Sequence, residues 1–70
     1  MNLGQDILDV TAEPKSPVEV RAALEAKGIS PWEQDFRYAI LELVRLGKLR
    51  LLDDNRMQRV DQNDWYEYDL

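Results

Sequence analysis

The sequence predicts a small α+β domain, three helices followed by a two-stranded β-hairpin, with an acidic aromatic C-terminal tail behind it. Three observations carry that expectation. Two Ser-Pro-x-Glu stretches, at Ser16 and Ser30, each open a run of helical period. After Gly47 the period changes from that of a helix to that of a strand, and Asp53-Asp54-Asn55 stands between KLRLL and RMQRV, as a hairpin turn would. Residues 1–60 form the predicted domain and residues 61–70 the tail. Seventy residues hold one domain at most, and its core must be almost fully used, because a core of this size yields only about 3–5 kcal/mol of net stability.

The first helix covers residues 3–10, where Leu3, Ile7 and Val10 share a face and Asp6 and Asp9 turn outward. At two to three turns it must dock to persist. Thr11 to Lys15 is a connector, since Pro14 biases Glu13 away from helix. The second helix starts on the Ser16, Pro17, Glu19 cap, buries Val20, Ala23 and Leu24, pairs Arg21 with Glu25 on its solvent side, and stops at Gly28. Only Gly28 and Ile29 then separate Lys27 from the next cap, so the second and third helices must cross sharply.

The third helix, from Ser30 to Gly47, is the expected spine. Ser30 is its N-cap, Pro31 its first residue and Glu33 completes the capping box, while Gly47 stops it. Trp32, Phe36, Ala39, Ile40, Leu43 and Leu46 fall on the core side, and Gln34, Arg37, Tyr38, Leu41 and Arg45 on the opposite side. In the hairpin, a two-residue loop at Asp54 and Asn55 sets Leu52 against Met57, Arg50 against Arg59 and Leu49 against Val60. Leu49, Leu51 and Val60 then face the helices, while Lys48, Arg50, Leu52, Met57 and Arg59 face away. Arg50 opposite Arg59 is a like-charge conflict that an anion would relieve.

Composition removes several classes of function. The chain has no cysteine and no histidine, and its only two serines are both used as caps, so nucleophilic catalysis lacks its residues. No carboxylate pair is placed by spacing on one face of a pocket, and no enzyme, small-molecule substrate or cofactor is expected. Asp61, Asn63 and Asp64 only faintly resemble a calcium loop, since Trp65 takes the fifth ligand position and no glycine follows, so no metal is expected. No run approaches the roughly 18 apolar residues of a membrane span, and MNLGQDILDV lacks the basic start of a secretory signal, which makes a cytoplasmic setting and no membrane partner the expectation.

The net charge of −5 is unevenly spread. Residues 1–35 hold three basic and seven acidic side chains, residues 36–60 six basic and three acidic, and residues 61–70 four acids alone. Arg37, Arg45, Lys48, Arg50, Arg56 and Arg59 thus concentrate in the third helix and the hairpin, an asymmetry that points to a charged partner or to a face balanced by nearby acids.

Helix, helix, turn, helix, hairpin is the order of a winged helix, and VRAALEAKGIS followed by DFRYAILELVRLGKLRLLDD resembles that family over residues 3–60. The resemblance rests on Val20-x-x-Ala23-Leu24, the Gly28-Ile29 turn, Ile40 and Leu43, and Leu46-Gly47-Lys48-Leu49 leading into the wing. It implies a third helix that enters the DNA major groove and a wing that touches the backbone or the minor groove. Gln34, Arg37, Tyr38 and Leu41 would then face bases, with Arg45, Lys48, Arg50, Arg56 and Arg59 on phosphates. A small DNA-binding regulator is the function so implied. Against a polyanion stand Glu33 and Asp35 at the start of that helix and Asp53 and Asp54 on the wing tip. The alternative is a protein-interaction or dimerisation module, for which Tyr38, Leu41, Leu52 and Met57 supply an outward apolar surface. The tail, DQNDWYEYDL, is expected to pack Trp65, Tyr66 or Tyr68 on the domain, with its acids near Arg45, Arg50 or Arg59.

Overall fold

The computed structural model of the chain describes residues 2–60. Helix α1 spans Leu3–Val10, α2 Pro17–Ala26 and α3 Glu33–Arg45, and strands β1, Leu49–Leu51, and β2, Met57–Arg59, form an antiparallel hairpin. This is the predicted α+β order, and it gives a small winged-helix-like topology. One further rung completes the sheet. Lys15 N–H donates to Met57 O at 2.9 Å and Met57 N–H to Lys15 O at 2.7 Å, so the connector before α2 lies along β2. Among the described residues β2 is therefore flanked on both sides and β1 forms the open edge.

One apolar cluster holds the layers together: Ile7 and Leu8 from α1, Val20 and Leu24 from α2, Phe36 and Leu43 from α3, and Leu49 and Met57 from the hairpin. Thr11 is the buried polar residue among them. Its Oγ1 donates to Ile7 O at 2.8 Å, and its carbonyl accepts from Arg59 N–H at 2.9 Å, so one residue both ends α1 and anchors the hairpin. α1 begins with Asn2, whose side chain accepts from Gln5 N–H. Asp6 departs from the expected outward position: it is half-buried, and its Oδ2 is enclosed with no hydrogen-bond partner among the described residues.

α2 opens on the predicted capping box. Ser16 Oγ accepts from Glu19 N–H and Glu19 Oε1 accepts from Ser16 N–H at 2.8 Å. It ends as glycine allows, with Gly28 at φ 81° and Ile29 N–H reaching back to Leu24 O; Gly47, at φ 76°, does the same for α3 through Lys48 N–H to Leu43 O. Arg21 is not paired with Glu25 across the solvent side. Its guanidinium carbon sits 4.5 Å from the Phe36 ring centroid, because α3 crosses close enough to offer an aromatic face.

The start of α3 corrects the sequence expectation. The helix begins at Glu33, its N-cap is Trp32 with no side-chain cap bond, and Ser30 and Pro31 lie in the connection rather than in the helix. Residues 27–32 thus all separate α2 from α3. Trp32, expected in the core, is 81% exposed, since a residue in extended backbone ahead of the helix does not follow the helical phase. Leu46, the C-cap, is likewise exposed.

The hairpin register is also shifted by one residue. Leu49 faces Arg59, Arg50 faces Gln58 and Leu51 faces Met57. The loop holds three residues, Asp53 to Asn55: Asn55 N–H donates to Leu52 O, Asn55 takes φ 64°, and Leu52 N–H bonds Arg56 O. A one-residue slip exchanges the faces of one strand. Met57, expected outward, is therefore buried, Arg59 shares the inner face with Leu49, and the Arg50–Arg59 conflict does not exist.

Candidate functional site

α3 presents Gln34, Arg37, Tyr38, Leu41 and Arg45 to solvent, as its period predicts. The hairpin and α2 divide that face. Against Arg37 and Leu41 the hairpin tip and the first turns of α2 close a groove of about 580 Å³. Its floor is Phe36, Ile40 and Met57, and its rim is Val18, Leu41 and Leu51, which are 76%, 62% and 60% exposed. Arg21 and Arg37 line it as cations and Glu33 as an anion. Tyr38 lies outside that groove and lines two other hollows, one between α1 and α3 with Glu42, Leu46 and Lys48, the other along α3 with Gln34, Arg37 and Leu41. Leu52 is half-buried and does not line the groove.

Several of the basic residues are engaged by neighbouring groups. Arg45 donates from Nε and Nη2 to the two oxygens of Glu42, at 3.0 and 2.6 Å. That two-point contact holds the Glu42 carboxyl below its ordinary pKa and raises that of the Arg45 guanidinium. Arg56 Nε donates to Asp54 Oδ2 at 2.6 Å. Such exposed pairs stabilise little, and each sets a carboxylate beside the guanidinium, which weakens its attraction for a phosphate. Arg59 donates from Nη1 to Leu8 O at 3.2 Å, a cation at the C-terminal end of α1 where the helix dipole favours it. Lys48 sits below Gly47, its N–H on Leu43 O and its carbonyl accepting from Val60 N–H. Arg37 and Arg50 have no ion pair or side-chain hydrogen bond among the described residues.

The groove joins residues that the sequence put in different roles. The sequence places Arg37 and Leu41 on the outer face and Met57 in an outward apolar surface, and assigns Val18, Arg21, Ile40 and Leu51 to no site. Val18 had a usable signal, an apolar residue directly after the Pro17 cap and off the Val20–Leu24 face. Leu51 has the inward parity predicted for it, but it stands too near the hairpin tip for the helices to cover it. The expected contacts of Trp65, Tyr66 and Tyr68 lie outside the described residues.

Among the described residues no group of three or more potential ligand side chains is placed to hold a metal ion, and no helix is long and apolar enough to cross a membrane. The topology is that of a small winged-helix-like α+β domain, with a largely apolar groove beside its third helix. No family model, no curated protein and no solved structure matches the chain.

Proposed function

We propose that this domain is a protein-docking module, and that the groove between α2, α3 and the hairpin receives apolar side chains of a protein partner. One observation carries the reading: Val18, Leu41 and Leu51, from three different elements, converge as exposed apolar groups around a floor of Phe36, Ile40 and Met57. A small monomer has little reason to leave such groups clustered, and a concave apolar centre with a polar edge is the arrangement of a protein interface. Arg21 and Arg37 at the edge favour a partner with acidic residues beside its apolar ones.

The test is site-specific photo-crosslinking in cells expressing the full chain, with a benzophenone side chain at Leu41 or, as a remote control, at Gln5. Docking predicts a discrete protein adduct from position 41 that Val18→Glu abolishes and that position 5 does not give. Identical adduct patterns from both positions would refute it.

A second reading, a DNA-binding regulator, is favoured by Arg37 and Arg50, which have no acidic partner among the described residues, and by Gln34 beside Arg37 on the same helix face. The winged-helix resemblance supports it. It predicts retardation of duplex DNA at low salt, weakened by Arg37→Ala and Arg50→Ala. The docking reading predicts none at micromolar protein.

A further inference from the structure

We propose that Arg21 is the specificity-determining residue of the groove, and that the docked segment of the partner protein sets an aspartate or glutamate carboxylate against it, beside the apolar side chain that fills the groove. The inference rests on the groove being a docking site and names the chemistry of what docks.

The first observation is how Arg21 is held. Its guanidinium carbon lies 4.5 Å from the centroid of the Phe36 ring, which is buried and forms part of the groove floor. The ring attracts the cation but supplies no lone pair, so the contact fixes the group and leaves its N–H donors unused. Arg21 has no ion pair or side-chain hydrogen bond among the described residues, although Glu25 stands one turn away on the same helix.

The second is what docking does to that group. Arg21 is half-buried and lines the groove with Ile40, Leu41 and Met57. An apolar side chain that fills the groove excludes water from the guanidinium, and arginine cannot give up its proton to escape the cost. The partner must therefore bring an acceptor. A carboxylate meets a guanidinium with two hydrogen bonds and the opposite charge. Arg37, exposed at the groove, keeps its water and makes no such demand.

The third is the charge of the groove and its size. Arg21 and Arg37 against Glu33 leave one net positive charge. One carboxylate balances it, whereas a phosphoryl group, at about −1.5 to −2 near neutral pH, would set its excess charge against Glu33. A space of about 580 Å³ takes only a few side chains, so the carboxylate and the apolar anchor come from one short segment. The apolar contact then supplies affinity, and the carboxylate the choice among partners.

The experiment selects peptides on the full chain from a displayed random library, discarding those that also bind Leu41→Glu. The proposal predicts that the enriched peptides share an aspartate or glutamate within a few residues of a large apolar one. In calorimetric titration of one such peptide, replacing that acid by its amide should weaken binding to the wild type about tenfold and to Arg21→Gln by less than about twofold, a coupling that a structural role for Arg21 does not produce. Matching thermal unfolding shows the variant folded. Enriched peptides without an acid overturn the proposal whether or not that variant folds. Equal losses in the two proteins overturn it, and so does tighter binding of a peptide with phosphoserine in place of the acid. Self-association of the full chain that Leu41→Glu abolishes also overturns it, by seating a second copy in the groove. None of these failures touches the docking reading itself, which the position-41 adduct judges separately.

Discussion

Leu24 and Leu41 permit a comparison in which the chemistry is constant and only the surroundings differ. Leu24 is 0% exposed in the centre of the core and Leu41 is 62% exposed on the groove rim. Truncating each to alanine removes the same atoms. At Leu24 the transfer term and the cavity together cost about 2–5 kcal/mol, whereas an exposed site away from special features changes stability by about 0.5 kcal/mol at most. With a net stability of about 4 kcal/mol for a domain this small, a loss of about 3 kcal/mol leaves roughly 15% of Leu24→Ala molecules unfolded at 25 °C. Urea unfolding followed by circular dichroism measures the difference. With a slope near 1 kcal/mol/M, the Leu24→Ala midpoint falls by about 3 M while that of Leu41→Ala stays within about 0.5 M. A Leu24→Ala loss under about 1 kcal/mol, or a Leu41→Ala loss as large as Leu24→Ala's, would refute the assignment of core and rim, since neither fits this burial.

The remaining predictions concern caps, turn and charges. Ser16→Ala should cost about 1 kcal/mol by removing the acceptor for Glu19 N–H. The Ser16 backbone N–H, bonded to the Glu19 carboxylate, holds that carboxyl below its ordinary pKa, so its contribution is full above the ordinary carboxylate range and disappears as pH falls through the lowered value. Glu19→Gln should accordingly lose less stability than the wild type between pH 7 and pH 3, and an equal or greater loss, read as urea midpoints, would contradict the capping box. At Asn55, φ 64° makes Asn55→Gly nearly neutral and Asn55→Val costly by about 1–2 kcal/mol, measurable in the same assay. Glu42→Gln with Asp54→Asn releases Arg45 and Arg56, and should delay elution from heparin with a steeper salt dependence than the wild type; unchanged elution would mean that those pairs do not restrain the two cations.

The fold was legible where the sequence carries local stereochemistry. Ser16, Pro17 and Glu19 specify the start of α2, and Gly28 and Gly47 specify two helix ends, because each of those conformations needs its residue type. The same cap signature at Ser30 failed. There Trp32 stays in extended backbone and the helix opens two residues late, without a side-chain cap. The hairpin was legible as a hairpin but not in register, because Asp53-Asp54-Asn55 fits both a two-residue and a three-residue loop, with Asn55 left-handed in either; Asp54 outside the left-handed region and the Leu52 N–H bond to Arg56 O distinguish them. The groove was half legible. The period of α3 set Arg37 and Leu41 outward, but Val18 and Leu51 join them only through the placement of α2 and the hairpin, which no local pattern encodes. Of the basic residues, Arg45 and Arg56 pair with acids three and two positions away, which sequence spacing offers, while Arg59 meets the Leu8 carbonyl only through the fold.

The proposed docking function assigns recognition to Leu41 and its apolar neighbours rather than to the arginines. The protein captured from position 41, repurified and titrated calorimetrically against three full-length proteins, wild type, Leu41→Glu and Arg37→Ala/Arg50→Ala, decides between them. A charge placed among the apolar groups of the rim should weaken binding by about 100-fold or more, and loss of Arg37 at the groove together with Arg50 outside it by about fivefold or less. The reverse order, with Leu41→Glu binding as the wild type does and the double arginine variant failing, would contradict the claim and return recognition to the basic residues.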